Sequence, residues 1–441
     1  MRIFIVGAGL VGVTIVEALH AEHECTVVDL DRNRLGALAS RLDVVTVLGN
    51  GASRRTLQEA GVQAADLLIA CTSRDEANIV SSMFTKILSP QTKTIVRTTN
   101  VEYLEIWQER LLDVDFMVSS ELETAHAISR ITGVPAARQT DVFADGQVQM
   151  VEFDVVPGQQ RGDVVGLPIR DAHVPANSKV ASIIRGGRMI LPRGSESIEP
   201  GDRVVIIGSP ESAREWSSLM AHEKRVDDVV IVGAGQTGVA AARLLLAQGV
   251  RVRLVDSDGE RARAVAEELP DARVFNASGT DPDFLERERI GQAQAAIFAM
   301  RDDTKNLYAA SLARVHGVAF TIAVAHEAVS LAAFDQAGID VAVNPRAVTA
   351  EEIVRFAHDP RTKQVAMLEG NRYEVLDVTT RESSRYIGTL FRDMPVHGAL
   401  IGAIVRNGKA IFPHGDDILQ VGDRVIVFTE AANVPWVVEA L

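Results

Sequence analysis

One stretch of this sequence occurs twice, and its recurrence limits the architecture more than any other feature of the chain. Near the N-terminus the apolar run Ile3-Phe4-Ile5-Val6 leads into Gly7-Ala8-Gly9-Leu10-Val11-Gly12 and then Thr14 to Leu19, which reads as strand, glycine turn and helix. In such a turn the first glycine permits the tight bend and the second lets backbone N–H groups approach a pyrophosphate. The third lets helix pack on strand, with the positive end of the helix dipole facing the anion. Alone, G-x-G-x-x-G describes a plain tight turn as readily as a phosphate seat. Here a second short apolar run, Cys25 to Val28, ends in Asp29, at the spacing where an acidic residue accepts the ribose hydroxyls of a dinucleotide. The whole arrangement then returns as Val229 to Val232, Gly233-Ala234-Gly235-Gln236-Thr237-Gly238, and Val252 to Val255 ending in Asp256.

At about 150 residues per domain, 441 residues predict three or four domains. A hydrophobic fraction of 47% with only 5% aromatics suits parallel sheets covered by helices. The net charge of −14 argues against a nucleic-acid backbone as the main partner and permits docking on a basic surface. Cys25 and Cys71 are the only cysteines, so a disulfide framework is not expected and a reducing cytoplasm is the simplest setting. No stretch reaches the roughly 18 uninterrupted apolar residues of a membrane span, and the N-terminus reads as a core strand instead of a signal peptide. A soluble protein is expected, serving any membrane from its cytoplasmic side.

Taken in order, Arg32 to Leu42 reads as a helix and Val44 to Leu48 as a strand running into Gly49-Asn50-Gly51, where Asn50 either meets an adenine or ribose or simply makes a turn. Asp66 to Cys71 is a strand ending at Thr72-Ser73, hydroxyls that serve either as N-caps of the helix Asp75 to Leu88 or as ligands to a phosphate or ribose. Lys93 to Val96 delivers Arg97 to the same sheet edge, where a guanidinium can stack on adenine or pair with phosphate. A helix from Val101 to Leu112, a strand at Asp115 to Val118 and a helix from Glu121 to Arg130, capped by Ser119 or Ser120, finish a doubly wound unit near residue 133, broken at Gly133-Val134-Pro135.

From Val148 to about Met220 short strands predominate. Val180 to Arg185, Gly186-Gly187 and Arg188 to Leu191 form a two-residue hairpin, and Glu199-Pro200-Gly201-Asp202 turns into the strand Arg203 to Ile207. Residues 222–228 make a charged link. The pattern then repeats through Ala272 to Phe275, Ser278-Gly279-Thr280, Ala295 to Ala299 and the helix Thr304 to His316, with Asp303 and Asn306 standing where Asp75 and Asn78 stood. From Lys363 the small module returns with Asn407-Gly408 as its hairpin turn, and Val421 to Val427 matches Pro200 to Ile206. The chain is an internal duplication of two Rossmann-like doubly wound α/β domains, each followed by a small α+β domain: 1–133, 140–222, 226–350 and 361–441.

The glycine turn, the acid after the second strand, Thr72-Ser73-Arg74-Asp75-Glu76-Ala77-Asn78 and the small module with its P-G-D turn together resemble the domains that regulate potassium conductance. Two such pairs in one chain are similar to the TrkA family, the peripheral nucleotide-binding subunits of bacterial Trk potassium uptake systems. The resemblance covers essentially the whole chain. It implies a homo-oligomeric ring, expected as a tetramer, under a membrane-embedded, TrkH-like potassium-translocating subunit, with NAD(H) or ATP/ADP as the regulatory ligand. Carried over by position, the first site comprises Gly7, Ala8, Gly9, Leu10, Val11, Gly12, Asp29, Asn50, Thr72, Ser73 and Arg97. The second comprises Gly233, Ala234, Gly235, Gln236, Thr237, Gly238 and Asp256. Where the first copy has Thr72, Ser73 and Arg97, the second has Met300, Arg301 and Ala325, so tight binding is expected at the first site and weaker or different binding at the second. Leu10 and Gln236 stand where some relatives carry an arginine for a terminal phosphate. Asp29 and Asp256 would repel a 2′-phosphate, which disfavours NADP.

The expected mechanism is a binding switch, in which a nucleotide acts through different affinities for two ring shapes. A dehydrogenase would need a proton-transfer residue beside the nicotinamide, and His173 and His397 neither align with each other nor have carboxylate or lysine neighbours that suggest a relay. No H-E-x-x-H, C-x-x-C or G-x-S-x-G pattern occurs, so no catalytic residue and no metal ligand is expected. A cyclic dinucleotide acting through the small modules is a further alternative.

Overall fold

Ile3 and Ile5 lie at the centre of the first sheet with no exposed surface, as an apolar strand flanked on both sides must. The computed structural model describes residues 1–21, 23–134, 137–158, 164–220, 226–357, 362–368, 372–394 and 398–441. The first repeat opens with β1 (Arg2–Val6), α1 (Leu10–Leu19), β2 (Glu24–Asp29), α2 (Arg32–Ala39), β3 (Val45–Leu48), α3 (Arg54–Glu59), β4 (Leu67–Ala70), α4 (Asp75–Leu88), β5 (Lys93–Thr98), α5 (Val101–Gln108), β6 (Phe116–Ser119) and α6 (Ser120–Gly133). The strands are all parallel in the order β3-β2-β1-β4-β5-β6. Between β1 and β4 the winding reverses, which opens a crevice at their carboxyl ends, and the glycine turn is at its mouth.

A five-stranded antiparallel sheet follows, built from β7 (Ala137–Phe143), β8 (Val148–Asp154), β9 (Ser178–Arg185), β10 (Arg188–Ile190) and β11 (Arg203–Gly208), with α7 (Pro210–Met220) after it. Its order is β10-β9-β11-β8-β7. Gly186 and Gly187 both have positive φ, +57° and +74°, the geometry a two-residue hairpin requires. In the P-G-D turn, Asp202 is 2% exposed, accepts the Glu199 N–H at 2.8 Å and holds Arg185 bidentately at 2.7 and 2.8 Å. The motif is therefore a clamp between the turn and the hairpin strand.

The second repeat runs β12 (Asp228–Val232), α8 (Gln236–Ala247), β13 (Arg251–Asp256), α9 (Gly259–Glu268), β14 (Arg273–Asn276), α10 (Pro282–Arg287), β15 (Ala295–Phe298), α11 (Asp303–Val315), β16 (Phe320–Val324), α12 (Ala328–Gln336), β17 (Val341–Val343) and α13 (Pro345–Ala357). Then come β18 (Thr362–Leu368), β19 (Tyr373–Thr379), β20 (Ala399–Arg406), β21 (Lys409–Ile411), β22 (Arg424–Glu430) and α14 (Val434–Ala440). The sheet orders, β14-β13-β12-β15-β16-β17 and β18-β19-β22-β20-β21, reproduce those of the first repeat. The clamp recurs as well, Arg406 on Asp423 at 2.9 and 2.8 Å.

These residues form two compact units, 1–124 with 344–358, and 125–343 with 359–441. In the first, α13 lies along α1 and reaches β6, where Phe356 stacks on Phe116 with centroids 4.5 Å apart. In the second, both small modules share one core, with Phe143, Val148, Met150 and Ile207 against Val375, Val405, Ile426 and Phe428. Gln147 ties them at the rim, donating to Gly408 O at 2.7 Å and accepting the Ala410 N–H at 3.0 Å. The last turns of α6 belong to this unit too, and Gln248 donates to Ser129 Oγ at 2.9 Å.

Several sequence expectations are corrected. The fifth helix stops at Gln108 instead of Leu112, because Arg110 takes a left-handed φ of +62°. β7, not expected, shows little alternation in its sequence and buries only every third residue. Asp228 belongs to β12 and not to the link, while residues 221–225, Pro135 and His397 lie outside the described residues.

Candidate functional site

Two of the three glycines in each turn are required by the fold itself. Gly7 has φ +114°, and a Cβ at Gly12 would come within 1.8 Å of Gly7 O; Gly233 and Gly238 repeat this at +109° and 1.9 Å. The middle glycine is different. Gly9 has an extended conformation that any residue adopts, φ −76° and ψ −175°, and a Cβ there would meet only Arg34 Nη1 at 3.9 Å. At Gly235 it would meet no atom within 4 Å. Gly9 and Gly235 are also the N-cap residues of α1 and α8, and neither helix start has a side-chain cap. Each turn is thus an open cradle of first-turn N–H groups, of the kind that suits a phosphate.

Behind the turn, Ala8 and Val11 are buried, so they can offer a ligand only backbone, whereas Leu10 is 37% exposed. Asp29 stands across the crevice mouth and accepts the Ala8 N–H at 2.6 Å and the Asp31 N–H at 2.7 Å. Each carboxylate oxygen thus has one backbone donor and a further lone pair for a hydroxyl. Asp256 repeats the pattern with Ala234 and Asp258, both at 2.8 Å. The copies then diverge. Arg261 sits on Asp256 at 3.1 Å and on Asp258 at 3.1 Å, while its counterpart Arg34 pairs with Asp31 at 3.4 Å. In the second copy the carboxylate that would receive a ribose is already engaged by a cation.

The far wall is the end of β4 and β5. Asn78, fully buried, accepts the Thr72 N–H at 2.9 Å and the Thr72 hydroxyl at 2.6 Å, and donates to Thr72 O and Arg97 O. Asp75 collects donors from Thr98, Thr99 and Asn100 within 3.0 Å. The N-cap of α4 is Arg74, without a side-chain bond, so the capping alternative for Thr72 and Ser73 is overturned: Asn78 holds Thr72, and Ser73 is exposed. Arg97 is half-buried, with Nε donating to Ser120 Oγ at 2.8 Å and Nη1 to Thr72 O at 3.1 Å. Asn50 is exposed and closes a local turn, its Oδ1 accepting the Ala52 N–H at 3.0 Å; Ser278 does the same for Thr280.

In the second copy Asn306 bonds Met300 and Val324, as Asn78 bonds Thr72 and Arg97. The residue in the place of Arg97 is therefore Val324, one position before the Ala325 expected from sequence, because α11 is one residue shorter than α4. Asp303 accepts the N–H groups of His326 and Glu327; burial opposes its charge, but these bonds hold its carboxyl below the usual range. Cys71 lies beneath the first turn, and burial pushes its thiol up to about 12 against the opposing charge of Arg97, so it is a packing group and not a nucleophile. His173 is exposed. Among the described residues no group of three His, Cys, Asp or Glu side chains could hold a metal, and no helix is long and apolar enough to cross a membrane.

Sequence reasoning gave no site role to Arg34, Arg261 or Asn78, and offered Ser120 only as a helix cap. The recurring D-x-D-x-x-R, Asp29 to Arg34 and Asp256 to Arg261, is the signal that could have found the two arginines.

The model of the TrkA-N domain matches residues 3–120 and 229–345, and that of the TrkA-C domain matches 151–221 and 375–439. A Trk system potassium uptake protein TrkA homolog of Archaeoglobus fulgidus is 34% identical over 98% of this chain and 97% of its own length. The Trk system potassium uptake protein TrkA of Haemophilus influenzae is 30% identical over 99% and 97%. Among solved structures, the GsuK channel aligns with a TM-score of 0.62 at 20% identity, over 97% of this chain and 76% of that one. The GsuK channel bound to NAD gives 0.60 at 20%, over 98% and 77%.

Proposed function

This chain belongs to the TrkA family of Trk system potassium uptake proteins, and from that premise we propose that it is a cytoplasmic regulatory subunit that binds an adenine nucleotide and gates a membrane-embedded potassium-translocating subunit. The observation that carries the reading is the middle glycine of each turn, Gly9 and Gly235, at which nothing within the chain requires glycine. A ligand whose phosphates approach the backbone would require it. Gly9 to Gly12 would hold the pyrophosphate on the first-turn N–H groups, Asp29 the ribose diol, and Arg97 with Thr72 and Ser73 the remaining edge. NAD(H) is the favoured ligand and ATP or ADP the alternative; the NAD in the GsuK structure is support from a similar fold. Asp256, neutralised by Arg261, and Val324 in place of Arg97 make the second site weaker or different.

Function here is binding and not turnover. A nucleotide that prefers one arrangement of the modules, 1–133, 140–222, 226–350 and 361–441, shifts a ring of subunits toward it, and a TrkH-like partner reads the change. For the cyclic-dinucleotide alternative, a cleft of about 280 Å³ lies around Lys179, Phe391 and His414 between the small modules.

Gly9→Val tests the reading, since a β-branched residue fits the extended backbone and the new Cβ would meet only the mobile end of Arg34, in ordinary contact. The variant is expected to stay folded, losing no more than about 1 kcal/mol at the helix cap, and to lose NADH affinity at the first site by about tenfold or more in calorimetric titration. Unchanged binding would refute the site. Steady oxidation of NADH by a carbonyl substrate would refute the switch in favour of an oxidoreductase.

A further inference from the structure

Arg97 is held from behind. Ser120, 2% exposed, takes its Nε–H at 2.8 Å and lies 3.0 Å from the hydroxyl of Thr349, which has no exposed surface. Thr349 Oγ1 also lies 2.6 Å from Pro345 O. Thr349 Oγ1 carries one proton and is placed to give it to Ser120 Oγ or to Pro345 O. The row is continuous: Arg97 donates to Ser120 Oγ, and Thr349, seated on Pro345 O, faces the same oxygen. Buried hydroxyls without partners are costly, so each bond in the row depends on its neighbours.

Thr349 comes from far along the chain. It lies on α13, which follows the last strand of the second repeat and belongs to the compact unit of the first, while the residues on either side, up to 343 and from 359, belong to the other unit. The second copy cannot form the row, because Val324 and Pro345 stand where Arg97 and Ser120 stand in the first.

We propose that Ser120 and Thr349 are positioning residues for the first nucleotide site, and that through them the grip of Arg97 on a nucleotide depends on the seating of α13. This rests on the nucleotide reading above and adds the regulation of that site. By reciprocity, whatever loosens α13 weakens nucleotide binding, and a bound nucleotide tightens α13 by the same factor. Since α13 is continuous at both ends with the second unit, occupancy of the first site has a covalent route to it.

The test uses the full chain with the second turn closed by Gly235→Val, titrated with NADH and with ADP. Thr349→Val keeps the shape and removes the hydroxyl. It is expected to weaken binding about fivefold, the worth of one neutral hydrogen bond, while Thr349→Ser binds like wild type. In an Arg97→Gln background Thr349→Val should have no further effect. Hydrogen exchange should show nucleotide-induced protection of residues 345–357 in wild type and none in Thr349→Val; a merely structural threonine would lower protection equally with and without ligand. Ser120→Ala breaks the row from the other side and is expected to match Thr349→Val. If wild type binds and Thr349→Val binds equally well, or its loss persists beside Arg97→Gln, the relay is refuted and the nucleotide reading stands. If wild type binds neither nucleotide, both fall.

Discussion

Gly9 and Glu152 mark two ways in which one residue departs from what its fold demands. Gly9 is freer than the chain needs, which points to a ligand. Glu152 on β8 is more confined than a carboxylate tolerates: it is 3% exposed, Arg203 is 3.4 Å away and shared with Asp154, and one carboxylate oxygen has no hydrogen bond. Burial outweighs the attraction of Arg203 and Arg138 and, with Asp154 adding to it, pushes the carboxyl up to about 7 from 4.5. A carboxyl whose folded value is raised stabilises the fold fully below the unfolded value, and that contribution is lost as the pH climbs through the folded one. Glu152→Gln, uncharged throughout, is therefore expected to match wild type near about pH 4.5 and to exceed it by up to about 3 kcal/mol near about pH 8. Urea midpoints at the two pH values check this, and an advantage confined to acid would contradict it. The corresponding pair in the second module, Asp377 with Arg424, is bidentate and fully buried on the acid side, so the analogous Asp377→Asn should destabilise instead.

At the level of elements, the P-G-D-R signature was readable in sequence as a turn, but its work is done elsewhere. Gly201, with φ +89°, makes the bend, and Asp202 then reaches across to Arg185 at the end of β9, so the turn fixes where the hairpin strand stops. Asp202→Asn removes the charge and one good acceptor while Arg185 is still about one-third exposed to water. The loss is expected to be about 2 kcal/mol, seen as a lower urea midpoint with β9 amides exchanging first. The same economy applies at the crevice. Asn78 and Asp75 both sit in the first turns of α4, and each ties strand ends that the sequence places far apart, β4 to β5 in one case and the loop after β5 in the other. Their spacing was visible twice in the chain, but nothing local in a helix start indicates which distant backbone it will bind.

Across the whole molecule, the two repeats do not keep their helices to themselves. Ile353 belongs by sequence to the second repeat and by packing to the unit that contains the first glycine turn, where it has no exposed surface. Ile353→Ala is expected to destabilise that unit by about 2–5 kcal/mol. Hydrogen exchange should then quicken in β1 and α1, more than three hundred residues away in sequence, and nucleotide affinity at the first site should fall with it. Equal exchange in those peptides would mean that α13 does not brace the unit.

The sequence alone determined the duplication, the doubly wound sheets and the glycine turns, because each depends on short-range steric and hydrophobic patterns repeated in the same order. It also placed Asp29 and Asp256, since the length of one helix and one strand fixes that spacing. Only the tertiary structure decided that Arg261 covers Asp256, that Val324 replaces Arg97, and that α13 packs in the unit of the other repeat. Those are contacts between residues distant along the chain, set by how buried hydrogen-bonding groups must find partners once the sheets have formed, and a linear pattern carries no record of them.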